Sequence, residues 1–337
     1  MSVPQRLAVS LPQPPDAQAT IDFAQWAEAQ GFDDVWFTDG GGQDALTVSA
    51  AVALATSRVR IGTAVIPAYT RTPAVFASTA MSLSQLSGGR FVLGLGASSH
   101  AMIEGWHGLK LEKPLTRVRE TAQLVRSMLK GEKSGFAGET LRSQGFRLSP
   151  LPVGEVPVYL AALRAKMLEM AGEFGDGVVL NLFPEEALPR MLEHVDIGAR
   201  RADSSLAQRD IVCRYQIAVI EDESGRAVAR QAFRQAYAPY YATPVYNRFL
   251  AWSGYETVAD TITKGWQEKD RDKTTAALDD ELVDKIAIIG TADECRERVR
   301  RLAEGGITTH IISTFGGEDA AWRKATFEAF APEGFRL

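Results

Sequence analysis

The residue types and spacings that could do chemistry cluster at a few points along the chain. Asp39 follows the strand-like run Val35 to Thr38 and precedes Gly40, Gly41 and Gly42. A carboxylate at a strand end could hold or protonate the polar edge of a ring. Its plainer role is that of a loop carboxylate capping the next helix, for which Asp44 is better placed. Gly96, Ala97, Ser98 and Ser99 combine small side chains, backbone N–H groups and two hydroxyls, a cradle for phosphate oxygens or simply a tight exit turn. Ala162, Leu163, Arg164, Ala165 and Lys166 lead into a helix beginning near Lys166, where two cations beside a helix N-terminus suit an anionic group, although single cations are usually just solvated. Glu104, Trp106 and His107 place a carboxylate and an imidazole three residues apart, on one face if the segment is helical, a spacing open to acid/base work or to a structural role.

Other chemistry is disfavoured. Gly94, Leu95, Gly96 begins like a dinucleotide fingerprint, but Ser99 stands where the third glycine belongs, and the segment lies on a fourth strand instead of the first turn. There is no GxSxG elbow, no Ser, His, Asp order and no His/Glu metal spacing, so no metal is expected. Cys213 and Cys295 are lone thiols expected to pack. His100 lies nearest the phosphate cradle, and His194 falls on a peripheral helix.

The elements that must position these residues alternate strictly. Strand-like runs fall at Leu7 to Leu11, Val35 to Thr38, Arg60 to Val65, Phe91 to Leu95, Val158 to Ala161, Val178 to Asn181, Val212 to Ile220 and His310 to Ser313. Amphipathic helical segments separate most of them: Asp16 to Gln30, Asp44 to Ala55, Pro73 to Leu86, Pro114 to Leu129, Lys166 to Phe174, Pro184 to Arg201 and a long region after Glu223. Alternation of this kind predicts a parallel sheet, and eight units predict a closed (β/α)8 barrel, whose functional residues lie at the C-terminal strand ends. Two segments break the rhythm. Gly131 to Leu151 reads as a hairpin-like insertion, and Tyr237 to Ile289, opening with YAPYYATPVYNRFLAW, reads as a helical excursion over the barrel mouth near the seventh strand.

The chain has 337 residues, with 37 Lys and Arg against 42 Asp and Glu, a net charge of −5 without long runs of one sign. That balance argues against nucleic acid or a membrane surface as partner. No apolar stretch reaches the ~18 residues of a membrane span, and a cytoplasmic location is expected.

The stretches GFDDVWFTD, IGTAVIPAYTRTPAVFAS, LSGGRFVLGLGAS and VPVYLAALRAKMLEMAGEFGDGVVLN together resemble the bacterial luciferase-like superfamily of flavin and deazaflavin oxidoreductases. SSHAMIEGWHGLKLEKPLTRVRE resembles the branch that uses the deazaflavin coenzyme F420. The resemblance spans nearly the whole chain and implies one TIM-barrel domain over residues 1–337, often a homodimer. It implies a non-proline cis peptide at Ala64 to Val65, on a strand-three bulge with Thr63 that props the ring's rear face. It places the cofactor's phosphate tail on Gly96 to Ser99 and Ala162 to Lys166, the segments already singled out by residue type.

The chain also departs from that branch. Gly40 follows Asp39 where many members have histidine, Ser99 stands where sugar-phosphate dehydrogenases have a glutamate, and Arg164 occupies a position that is commonly glycine. The implied activity is hydride transfer between F420 and an unsaturated or carbonyl-type small molecule, with Asp39 near the ring. Glu104 or His107 is the expected proton donor, and aromatic residues from Tyr237 to Trp252 would close the pocket. The alternatives are an FMN-dependent two-component monooxygenase served by a separate flavin reductase, and a non-catalytic cofactor-binding protein.

Overall fold

A computed structural model describes residues 3–317 and 320–337. The short apolar runs become eight parallel strands: β1 (Arg6–Leu11), β2 (Asp34–Phe37), β3 (Arg60–Thr63), β4 (Phe91–Gly96), β5 (Val158–Ala161), β6 (Gly177–Asn181), β7 (Asp210–Arg214) and β8 (Thr309–Ile312). Each pairs with the next, and Val9 of β1 opposite Ile312 of β8 closes the ring. The architecture is therefore a closed (β/α)8 barrel.

Two expected strands end early. The run Val212 to Ile220 would span about 30 Å as one strand, more than the wall requires. It breaks after Arg214, and Ile217–Val219 leaves the barrel to pair with Ile288–Gly290. The run Arg60 to Val65 stops at Thr63, bulges through Ala64 and Val65, and resumes as Ile66–Pro67 beside Leu95 and Gly96.

The helices start and stop where local chemistry dictates. Asp16, Asp44 and Thr72 accept amide hydrogens at the starts of α1 (Ala17–Gln30), α2 (Ala45–Ala55) and α3 (Pro73–Ser87). Gly31 and Gly88 end α1 and α3 at φ values of 94° and 64°, in the left-handed region open to glycine. Then come α4 (Pro114–Leu129), α5 (Ala165–Phe174) and α6 (Leu188–Arg201), the last led in by a 3-10 turn at Glu185–Ala187.

Both insertions take the expected form. Gly135–Ala137 and Arg142–Gln144 pair as an antiparallel hairpin. The buried Glu120 carboxylate of α4 holds its tip, accepting the amides of Glu139, Thr140 and Leu141 at 2.7, 2.9 and 3.0 Å. After β7, α7 (Glu223–Tyr241), α8 (Pro244–Trp252), α9 (Glu256–Gln267), α10 (Arg271–Ala276) and α11 (Asp280–Ile286) form a helical lid. An apolar cluster including Phe233, Tyr237, Tyr241 and Leu250 joins it to Leu182, Ala218 and Phe315, beyond the ends of β6, β7 and β8. Then α12 (Ala292–Glu304) leads to β8, and α13 (Arg323–Ala329) packs Phe327 against the Phe23 ring of α1.

Candidate active site

Period-two alternation decides what each strand offers to the barrel interior. Ala8, Trp36, Val92, Tyr159, Val179, Val212 and Ile311 form one packed layer, and Gly62 completes it because the Trp36 ring fills the space a Cβ there would need. One step toward the N-terminal ends lies a charged plug. The Arg60 guanidinium sits between the Trp36 and Tyr159 rings and bonds both Asp34 (2.6 Å) and Asp210 (3.1 Å). Asp210 also accepts from Tyr159 Oη, Thr308 Oγ1 and Thr309 Oγ1, each at 2.7 Å. Burial opposes its ionisation, but Arg60 and these donors outweigh burial and hold the carboxyl below its usual range. This end of the barrel is sealed, leaving the mouth at the opposite end.

One step toward the C-terminal ends, the β3–β5 side is small and apolar. Ala64 and Val65 are half-buried, and the bond between them is cis, as the resemblance implied. Thr63 Oγ1 accepts the Gly94 amide at 2.8 Å and donates to the Gly94 carbonyl at 3.0 Å, tying the bulge to β4. A Cβ on Gly94 would stand 1.8 Å from Thr63 O, and one on Gly96 would stand 2.6 Å from Val65 Cγ2 and 3.2 Å from Ala161 Cβ. The GLG triplet that resembles a nucleotide fingerprint thus serves close packing of the bulge against its neighbours. The result is an uncharged shelf of Ala64, Val65, Gly96 and Ala161.

Adjoining the shelf is the proposed anion end. Ser98 adopts φ +66° and its hydroxyl meets Met102 Sδ at 3.1 Å, while Ser99 Oγ accepts the Met102 amide at 3.4 Å. Both hydroxyls are thus engaged within their own loop. The Ala162 amide is also used, donating to Val179 O at 3.2 Å. Arg164 occupies the N-cap of α5 without a side-chain cap bond, beside the half-buried Leu163 and Ala165 and the exposed Lys166. Burial and the neighbouring Arg248 of α8 hold the Arg164 guanidinium below its ordinary pKa, and among the described residues neither arginine has a carboxylate partner. Two neighbouring cations with no carboxylate partner among the described residues suit an anion. Arg248 escaped sequence reasoning because it lies 84 positions beyond Arg164, and only the fold of the lid brings it there.

Asp39 is half-buried and bonded to Arg71 Nη1 at 3.0 Å, while Arg71 Nη2 pairs with Asp44. Arg71 was not among the sequence candidates, yet it straps the loop after β2 to the loop before α3. Asp44 also caps α2, accepting the Thr47 amide at 2.8 Å, so the capping role belongs to Asp44 and not to Asp39.

The segment Ala101–Trp106 is a single π-helical stretch ended by His107. Glu104 and His107 are both exposed, and Glu104 Oε1 accepts the Leu111 amide at 3.2 Å. The wide π turn replaces the α-helical face on which their spacing relied, and no hydrogen bond joins them among the described residues. Trp106 reaches back over the loop after β2, where a Cβ on Gly41 would lie 2.9 Å from its ring. His100 is exposed, and His194 on α6 bonds Glu169 at 3.0 Å, away from the mouth.

The lid presents tyrosines. Tyr241 Oη donates to Leu182 O at 2.9 Å, Tyr237 Oη donates to Gln216 Oε1 at 2.5 Å, and Tyr246 meets Tyr240 and Tyr241 edge-on. Trp252, at the end of the aromatic stretch, instead stacks on Phe249 and lies under Arg190. Cys213 and Cys295 are buried free thiols, both pushed up by burial, Cys295 to about 12. No metal-binding cluster of His, Cys, Asp and Glu occurs among the described residues.

Comparison with known proteins identifies the family and the fold. Residues 1–309 match the family described as luciferase-like monooxygenase. A 5,10-methylenetetrahydromethanopterin reductase of Methanolobus tindarius is 31% identical over 298 residues, covering 87% of this chain and 89% of that protein. A coenzyme F420-dependent tetrahydromethanopterin reductase from Methanopyrus kandleri superposes with a TM-score of 0.82 at 21% identity, covering 98% of both chains. An F420-dependent secondary alcohol dehydrogenase, solved with an F420–acetone adduct, gives 0.81 at 20% identity over 99% of this chain and 100% of that one. Both structural matches speak to the shared fold.

Proposed function

Because the chain belongs to the luciferase-like monooxygenase family, we propose that it is an oxidoreductase moving a hydride between coenzyme F420 and a small organic substrate. The observation that carries this reading is the continuity of the uncharged shelf with the anion end, which suits a flat ring joined to a phosphate tail. The residues present fit such a group: Ala64 and Val65 would support the ring, with Gly96 leaving room for Val65. Gly96 to Ser99, Ala162 to Lys166 and Arg248 would hold the tail. When bound, F420 supplies a carbon that accepts or donates the hydride.

Around that group, Asp39 held by Arg71 would fix the polar edge of the ring, and the lid tyrosines would limit water at the mouth. Exposed Glu104 and His107 stand within reach of solvent and would pass the proton that accompanies reduction. With the family match reaching residue 309, residues 1–337 are read as one such domain.

The family description as monooxygenase favours a second reading, a two-component enzyme using reduced FMN delivered by a partner reductase. Calorimetric titration of cofactor-free protein with F420 and with oxidised and reduced FMN separates the two. Micromolar binding of F420 alone, followed by F420 absorbance changes with enones, imines or alcohols, supports hydride transfer. Preference for reduced FMN supports the monooxygenase. Tight F420 binding without turnover across the panel returns the protein to a non-catalytic cofactor-binding role.

A homodimer belongs to the same reading. Helix α2, ALTVSAAVALA, carries no charge, and Leu54 on it is 71% exposed, with Val75 and Leu86 of neighbouring α3 at 48% and 43%. Sedimentation velocity would give a dimer for the wild type and a monomer for Leu54→Glu. No helix among the described residues is long and apolar enough to cross a membrane, which is compatible with the expected cytoplasmic location.

A further inference from the structure

The mouth has two unlike halves. On the β3–β5 side its inward positions are Ala64, Gly96 and Ala161, none with a polar side chain. From β6 round to β1 the same alternation places Asn181, Arg214, Ser313 and Ser10. Arg214 and Asn181 are register partners, and Arg214 Nε donates to Ser10 Oγ at 3.1 Å, confirming that it points inward across β8. At the plug, Arg60 and Arg6 are neutralised by Asp34 and Asp210, whereas Arg214 has no carboxylate partner among the described residues.

Unpartnered polar atoms stand at the ends of these same strands. Among the described residues Asn181 Oδ1, Gln216 Nε2 and Thr314 Oγ1 are buried and make no hydrogen bond, although the Asn181 side chain also meets the Tyr246 hydroxyl. Gln216 is only 2% exposed, and because its Oε1 accepts from Tyr237, the free end of the amide is the donor Nε2. A buried donor left unmade is costly unless something fills it. The Tyr237 hydroxyl joins Arg214 to Gln216, and a guanidinium with no carboxylate partner among the described residues beside an amide N–H matches the two oxygens of a carboxylate.

We propose that the substrate carries a carboxylate, bound by Arg214 with Gln216 on the β6–β8 side of the mouth, opposite the shelf for the ring. This rests on the hydride-transfer reading for which part of the site the cofactor occupies. It narrows the substrate class to small organic acids such as enoic and oxo acids.

The test titrates the full chain, with and without saturating F420, with crotonate, cinnamate and 2-oxobutyrate and with their neutral methyl esters, by calorimetry. The acids are expected to bind at least tenfold more tightly than the esters. Arg214→Leu is expected to remove that preference, Arg214→Lys to retain part of it, and F420 affinity to stay within twofold in both variants. The proposal is overturned if the esters bind as well as the acids, if no acid binds, or if Arg214→Leu weakens F420 as much as it weakens the acids. The acid-to-ester ratio of the wild type decides the matter even if Arg214→Leu does not fold. Failure of F420 to bind the wild type counts against the hydride-transfer reading, and the titration without cofactor still tests Arg214.

Discussion

Val65 Cγ2 lies 2.6 Å from the point a Cβ on Gly96 would occupy, so the side chain of the β3 bulge and the backbone of β4 share one space. Val65 cannot retreat easily, since Thr63 is bonded to Gly94 through both its hydroxyl roles. Gly96→Ala is therefore expected to push Val65 into the mouth. Overpacking of this kind costs ~1–3 kcal/mol. Calorimetry should show F420 affinity falling at least tenfold, and thermal melting should show a lower Tm.

Arg71 joins Asp39 to Asp44 at the rim, with side chains of Arg71 and Asp39 each 19% exposed. Partly solvated pairs contribute only ~0–1 kcal/mol to stability. Arg71→Ala should hence leave Tm within a few degrees while lowering turnover and cofactor affinity, because Asp39 loses its fixed position. A large loss of Tm with intact turnover would show that the strap serves folding alone.

The barrel plug behaves differently, because its charges are buried. Asp210→Ala strands Arg60 beside Asp34 and leaves Tyr159, Thr308 and Thr309 without their acceptor. Removing one partner of a buried pair costs ~3–5 kcal/mol. Urea denaturation should show that loss. The cofactor site at the opposite end should keep its affinity in whatever fraction remains folded.

His310 sets the response to mild acid. Gln5 Nε2 donates to Ile307 O at 3.1 Å, which turns Gln5 Oε1 toward His310 Nε2 at 2.7 Å, while Tyr215 Oη lies 2.9 Å from Nδ1. The ring is thus held neutral, with its proton on Nε2 and Tyr215 donating to Nδ1. Burial pushes its pKa down to about 3, against the opposing pull of Asp210. The unfolded chain binds a proton below about pH 6.5 that the folded chain refuses. Stability is consequently complete above that pH and declines as pH falls toward 3, with a slope near ~1.4 kcal/mol per unit from this residue. Denaturation between pH 7 and 5 should show the decline, and His310→Gln should flatten it.

Much of this was legible in one dimension. Alternation of apolar runs with helical segments is a local property, since strand and helix periods are imposed by backbone geometry, and it led directly to the barrel. The same rule marked Asp39, Gly96 to Ser99 and Ala162 to Lys166 as strand-end residues. The Asp44 cap and the glycine stops of α1 and α3 are equally local, each decided within a few residues.

Other features exist only once the ring closes. The strap from Asp39 to Arg71, the meeting of Arg164 with Arg248, and the pairing of Arg214 with Ser10 span 32, 84 and 204 positions. A lone arginine in a loop carries no local signal, because its partner is decided by which strand ends face one another. The π-helical turn at Ala101–Trp106 likewise undid the simple spacing of Glu104 and His107. Local chemistry in the chain specified the elements and the strand ends at which a site is expected. Strand register and closure decided which charges meet there, because only they bring residues distant in sequence close enough to interact.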